Sequence, residues 1–396
     1  MEERGALGAS PQIPPMRVLL FALGILLLLV PEFLRVFYIM PFPGSQENMP
    51  TDLHQVDAAY WLHRNIRWFR LAGLLALVGP FLHYWRNGKR GARIAVTALV
   101  VFCALFIGAF NLVFMADKMF YPPKAKAFAP PAITDSTARS LVIAVELNGD
   151  ARAYPIELIG YHHQVHDTIG GRAVLITYCT VCRTGRAWEP VVNGRPETFR
   201  LVGMDHFNAM FEDRTTGSWW RQVSGECIEG PMRGQRLPEV ESHQLTLKAF
   251  AERYPNGIVL RPDSAFTEHY AGLKGLDDGT IDSGLERRDP ASWEPKSWVV
   301  GIERNGSARA YDWNDLQRLD TLRDTLDRTP VLLVAQGASG FAAYSEVADT
   351  VFVEDPLTGA RMAVASMQLK PEPAYQEFWH SWRTFHPNTT QYTARK

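Results

Sequence analysis

From residue 141 onward the chain is written twice, and no other feature of its 396 residues limits the fold so strongly. Asn148-Gly149 followed by Ala151-Arg152-Ala153-Tyr154 returns as Asn305-Gly306 followed by Ala308-Arg309-Ala310-Tyr311, 157 positions later. At the same spacing Asp167-Thr168 returns as Asp324-Thr325, and Val174-Leu175-Ile176-Thr177 as Val331-Leu332-Leu333-Val334. Farther on, Glu212-Asp213 and Thr216-Gly217 meet Glu354-Asp355 and Thr358-Gly359 at a spacing of 142, and Pro255-Asn256 meets Pro387-Asn388 at 132. The order holds while the spacing shrinks, as it does when a second copy loses loop residues and keeps its elements.

Each copy reads as β-rich. Leu141 to Leu147 is a strand, Asn148-Gly149-Asp150 a turn and Ala151 to Tyr154 the returning strand. Val165 to Ile169, Gly170-Gly171 and Arg172 to Cys179 form a second hairpin, and Leu245 to Tyr254 has the pattern of an amphipathic helix. Helical crossovers are lacking, which argues against a parallel-sheet α/β fold. The copies span 137–264 and 297–394, with a Gly-, Pro- and charge-rich connector at 265–296. With a two-residue turn at Gly170-Gly171, paired positions in the hairpin add up to 341, setting His162 across from Cys179 and His166 across from Leu175. Alternation then puts Val165, Ile169, Val174, Ile176 and Tyr178 on an apolar face and His162, Gln164, His166, Thr168, Thr177 and Cys179 on the other.

The repeat supplies an internal control: residues kept in both copies read as scaffold, and polar residues confined to the first are candidates for chemistry. His162, His163, His166, Cys179 and Cys182 correspond to Leu319, Asp320, Arg323, Gln336 and Ser339 of the second copy, and His206, Trp220 and Gln222 to Ala348, Met362 and Val364. Cysteines spaced as Cys179 and Cys182 can close a disulfide, act as a redox pair or chelate one soft metal ion. The leading expectation is a copper or zinc site with Cys179, Cys182, His162 and His206 as ligands. His166, Asp205, Asn208, Asp213, Trp220 and Gln222 are expected around it, as second-layer and pocket residues. The alternatives are a stabilising disulfide in a non-catalytic binding module and a thiol–disulfide oxidoreductase. No His follows Cys182, so covalent c-type haem attachment has no support.

Residues 1–120 differ in kind. They carry 11 Lys/Arg against 7 Asp/Glu, net +4, which leaves −5 on the remainder of a chain whose total is −1. Ile94 to Ala116 runs 23 residues without a charge, enough to cross a bilayer. With weaker stretches at about 17–40 and 67–86, the reading is an anchor of three transmembrane helices. Arg86, Lys89, Arg90 and Arg93 place the short loop before the last span in the cytoplasm, and the 41–63 loop, acidic and without Lys or Arg, outside. The expected fold class is therefore three N-terminal transmembrane helices followed by a β-rich (α+β) extracytoplasmic domain of two degenerate tandem repeats. The expected setting is a bacterial inner membrane, with the N-terminus cytoplasmic and the C-terminal domain periplasmic or extracellular. Expected partners are the lipid bilayer and a membrane or periplasmic protein, and the balanced charge gives no reason to expect nucleic acid.

The ordered series His162, Asp167-Thr168-Ile169-Gly170-Gly171, Tyr178-Cys179-x-x-Cys182, Asn208, Asp213, Thr216-Gly217-Ser218, Trp220, Gln222 and Gly225 resembles the prokaryotic family called domain of unknown function 3179. The resemblance covers about residues 137–262. That family usually has Pro-Leu between the cysteines and Gly after them, where this chain has Thr180-Val181 and Arg183, and Asn in place of His166. It implies a domain and brings no reaction with it.

Overall fold

In the computed structural model, which describes residues 16–41, 54–354 and 361–394, the chain divides into two compact units at Met119/Phe120. The first holds three long helices: α1 (Met16–Phe37), α2 (Gln55–Asn87) and α3 (Arg90–Leu112). Among the described residues only two, α1 and α3, are long and apolar enough to cross a membrane, which corrects the expected anchor of three spans. The physical reason lies in α2, where Asp57, Arg64, Arg67 and Arg70 interrupt the apolar sequence before Leu71. Glu32, fully buried, accepts from Arg35 and Arg70 and from the Asn111 amide, tying the three helices together. Residues 1–15 and most of the acidic 41–63 loop lie outside the described residues.

The second unit is built from mainly antiparallel sheets, mostly of four strands, the unit size of a propeller blade. Its first half opens with β1 (Leu141–Leu147), β2 (Asp150–Pro155), α4 (Ile156–His162), β3 (Gln164–Ile169), β4 (Arg172–Cys179) and β5 (Thr184–Trp188). A meander follows: β6 (Phe199–Asp205), β7 (Asn208–Asp213), β8 (Trp219–Arg221) and β9 (Cys227–Glu229). β10 (His243–Thr246), α5 (Leu247–Arg253) and β11 (Ile258–Leu260) complete this half.

The second half runs β12 (Trp298–Arg304), β13 (Ser307–Asp312), α6 (Trp313–Leu319), β14 (Thr321–Leu326), β15 (Thr329–Gln336), β16 (Gly340–Glu354) and β17 (Arg361–Pro371). It ends with β18 (Tyr375–Phe378), α7 (Trp379–Phe385) and β19 (Thr390–Gln391). β10 pairs antiparallel with β1 and β11 parallel with β2, and in the second half β18 pairs with β12 and β19 with β13 in the same senses.

The two cores correspond position for position. Leu141, Ile143, Tyr154, Ile156, Val165, Ile169 and Ile176 pack in one, and Trp298, Val300, Tyr311, Trp313, Leu322, Leu326 and Leu333 in the other. The repeated Ala-Arg-Ala-Tyr motif is scaffold: Arg152 and Tyr154 both donate to Asp167 Oδ2, at 3.0 and 2.5 Å, and Arg309 and Tyr311 both donate to Asp324 Oδ2, at 2.5 and 2.9 Å. Asn148 and Asn305 sit at φ 53° and 48°, each followed by a glycine at positive φ, the conformation a tight hairpin needs. A second layer shows one compensated exchange. Ala144 lies with Phe250, while the counterpart Gly301 lies under Trp382, where a Cβ would fall 2.2 Å from the indole.

The halves cross twice, by counterpart elements. Residues 341–344 of β16 run along residues 243–245 of β10, and Gly185 and Arg186 of β5 lie against Tyr375 and Gln376 of β18. Between the crossings Gln244 Nε2 donates to Gln376 Oε1 at 2.7 Å, which joins two counterpart residues.

Candidate functional site

The hairpin β3/β4 has the register in which partners add up to 341, from Ile169↔Arg172 to Gln164↔Thr177. One further bond in that register, from the Tyr178 N–H to His163 O at 3.0 Å, ends the ladder. His163 adopts φ 59° and ends α4, so His162 belongs to a helix and does not face Cys179. Its Nδ1 bonds the Tyr121 carbonyl at 2.5 Å and its Nε2 the Tyr270 hydroxyl at 2.7 Å. A carbonyl can only accept, so Nδ1 carries the proton and Nε2 receives one from tyrosine, and burial holds the imidazole below its ordinary pKa.

The chain leaves β4 at Cys179 and turns through Thr180, Val181 and Cys182 into Arg183, at φ 57°. Both cysteines are free and fully buried. As a thiol, Cys179 donates to the Phe207 carbonyl at 3.2 Å. Burial pushes its pKa up, but hydrogen bonds from the Cys182 side chain and from the backbone N–H groups of Cys182 and Ala209, with the nearby Lys296 ammonium, bring it below the ordinary thiol value. Cys182 goes the other way, raised by burial and then by its neighbour Cys179. The two sulfurs thus form one coupled unit, with Cys179 the readier thiolate and Cys182 the proton donor.

The surroundings come from three places. The tip of β6/β7, with His206 and Phe207 both at positive φ, supplies the Phe207 carbonyl and the Ala209 N–H. The connector wraps the turn: Arg183, itself 1% exposed, donates to the carbonyls of Leu276 and Asp277 and stacks over Trp298, and Lys296 Nζ donates to Val181 O at 3.0 Å. The second half adds the rest. The Phe378 N–H donates to Cys182 O at 3.0 Å, Ser381 hydrogen-bonds the Cys182 side chain, and His380 Nε2 lies 3.2 Å from Val181 O. Burial and then Lys296 push the His380 pKa down to about 3, so it is neutral. Arg186 Nη2 donates to Glu377 Oε1 at 2.6 Å in a pair removed from water, and Glu377 Oε2 accepts from Ser381.

The remaining expected residues are placed as support. His206 pairs with Asp205 at 2.5 Å, and Asp205 also holds Arg221, so this imidazole stays at the hairpin tip. Asn208 and Gln222 bond each other and reach Thr184 and Thr177, a satisfied buried network behind β4. Asp213 accepts from Thr216, Gly217, Ser218 and the Trp220 indole, which ties the turn after β7. His166 accepts weakly from the Phe199 N–H at 3.4 Å, and burial lowers its pKa to about 4. Among the described residues no three His, Cys, Asp or Glu side chains lie where they could hold a metal ion together. The four expected ligands therefore separate, with the cysteines in one place and each histidine in another.

Sequence reasoning missed Lys296, Glu377, His380 and Ser381. A signal existed: at the spacing of 132, Glu377, His380 and Ser381 replace Leu245, Lys248 and Ala249, chemistry gained in the second copy rather than lost. A family profile described as protein of unknown function (DUF3179) matches residues 125–389. No curated protein and no solved structure matches the chain.

Proposed function

We propose, from the premise that the chain belongs to the DUF3179 family, that Cys179 and Cys182 form a thiol–disulfide exchange couple. The observation that carries this reading is the donor set on the Cys179 sulfur, made of the Cys182 side chain and two backbone N–H groups with Lys296 nearby. A cationic, donor-rich surrounding suits a thiolate better than it suits a metal cation. In the proposed step the Cys179 thiolate attacks one sulfur of a partner disulfide, forming a mixed disulfide and releasing a partner thiolate. Cys182 gives its proton to that leaving thiolate and attacks the Cys179 sulfur. The internal disulfide closes and the second partner sulfur leaves as a thiolate. Both thiols are covered, so the exchange requires an opening at Phe207 that exposes the Cys179 sulfur.

The setting belongs to the same proposal. The basic cluster Arg86, Lys89, Arg90 and Arg93 surrounds the N-terminal end of α3, while Asp117, Lys118, Lys124 and Lys126 follow its C-terminal end. The positive-inside rule then directs the β-rich unit to the outer face of the membrane, where disulfide-bearing partners occur.

Full-length protein in detergent, equilibrated with glutathione at graded reduced-to-oxidised ratios, tests the reading by mass spectrometry of the Cys179/Cys182 peptide. A reversible transition to an internal disulfide is expected, abolished in Cys179→Ser and kept in His162→Asn and His206→Ala. Thiols that stay reduced at every ratio would overturn it.

A further inference from the structure

The exchange couple lies in the first half, yet the chain has not left it to that half alone. Lys296 stands just before β12, at the entrance to the second half, and bends back over the Cys179–Cys182 turn. Its ammonium donates to Val181 O at 3.0 Å, comes within 3.4 Å of His380 Nε2 and lies 5.2 and 4.8 Å from the ring centroids of Phe207 and Phe378. Phe378 and His380 belong to the second half, and the Phe207 carbonyl accepts from Cys179. The cation is thus fixed over the turn by two rings and a carbonyl, each tied to the cysteines or to the half that covers them.

We infer that Lys296 is a positioning residue for the exchange couple, holding the Cys179 sulfur as a thiolate, and that the second half is retained because it places this cation. The inference rests on the exchange reading given above. It extends the site from the first copy to the whole β-rich unit.

The other titratable and charged groups around the turn have their own partners: Glu286 Oε1 accepts from Thr180 at 3.2 Å, and Asp277, raised to about 7 by burial, accepts from the Leu141 N–H. Cys182 is the proton-bearing partner, and Tyr178, buried behind it, has its pKa pushed far above neutral by burial. Glu377 is engaged by Arg186 and Ser381, and Arg183 by backbone carbonyls and Gln376. His380 is neutral, and His206 is paired with Asp205. Lys296 is therefore the group whose removal changes the charge next to Cys179 without unpairing a buried carboxylate at the crossing.

The test follows the ultraviolet absorbance of the thiolate against pH in full-length protein, taken as the difference between each background and its Cys179→Ser derivative, since absorbance needs no reagent to reach the buried sulfur. Lys296→Met is expected to move the Cys179 titration to higher pH, lowering the thiolate fraction at neutral pH about tenfold for each unit of displacement. Lys296→Arg is expected to restore the profile. Thermal unfolding of both variants close to wild type separates this effect from loss of the fold. A Lys296→Met titration that superimposes on the wild-type curve overturns the inference while leaving the exchange couple standing. A wild-type protein whose Cys179 titration is not below the ordinary thiol range, and which forms no disulfide in the glutathione series, removes both.

Discussion

The two crossings between the halves are built from counterpart elements and hold opposite contents. At one, β5 meets β18 through Arg186 and Glu377, with the cysteine turn beside them. At the other, β16 meets β10, and by strand pairing the counterparts of Arg186 and Glu377 are Ala342 and Leu245. The turn itself is shorter there: Cys179↔Thr184 closes over four residues, whereas Gln336↔Gly340 closes over three. One framework thus supports either an alanine and a leucine or a buried ion pair at these positions, with a thiol-bearing turn beside the second. The chemistry is an addition to the fold and not a condition of it.

The largest expected effect comes from unbalancing the charged crossing. Arg186→Ala alone leaves Glu377 buried and unpaired and is expected to cost about 3–5 kcal/mol by denaturant unfolding. Arg186→Ala combined with Glu377→Leu copies the apolar crossing and is expected to recover most of that loss. If the double variant is as unstable as the single one, the crossings are not interchangeable.

A smaller effect is expected where the halves exchange volume. Gly301→Ala drives a methyl group into Trp382 and is expected to cost about 1–3 kcal/mol. Adding Trp382→Phe recreates the Ala144/Phe250 arrangement of the first half and is expected to return part of the stability, measured as a melting temperature. No return would show that the two second-layer packings differ by more than this one swap.

Acidification separates the halves gradually, over a range of pH. His163 and His166 are held at about 4 from 6.5, by burial first, and their counterparts in the second half are Asp320 and Arg323. Above about pH 6.5 both states of each imidazole are neutral and the stability is complete. As the pH falls from 6.5 toward 4 the unfolded chain takes up protons that the folded chain refuses. Stability drops by up to about 1.4 kcal/mol per pH unit for each group. Amide exchange should therefore speed up in β3 and β4 before β14 and β15 as the pH is lowered. Equal acceleration in both halves would count against these histidines as the cause.

Much of this was legible in the residues because local rules decide it. The Gly170-Gly171 turn fixed the register of the hairpin, and alternation fixed which of its residues enter the core. Apolar length fixed α1 and α3, while a sum of marginal signals in α2 overstated the number of spans. His162 escaped because a single left-handed residue, His163, ends the helix before the strand begins, and no alternation pattern registers that. Lys296 escaped because it lies in the connector, outside both copies, and His380 and Ser381 because they are polar residues gained, not lost, in the second copy. Arg183 stands at positive φ, a conformation that favours glycine, and is fixed there by carbonyls and an indole.

The bond between Gln244 and Gln376 has a thermodynamic consequence. A residue that pairs with its own counterpart does so near a two-fold axis, as in a homodimer whose two copies meet through the same patch. Here both copies are one molecule, so the encounter is intramolecular and is set by the effective concentration that the connector imposes. Dilution, which would empty such an interface in a true dimer, leaves this one intact. The chain can thus keep both crossings formed on every copy, however dilute it is.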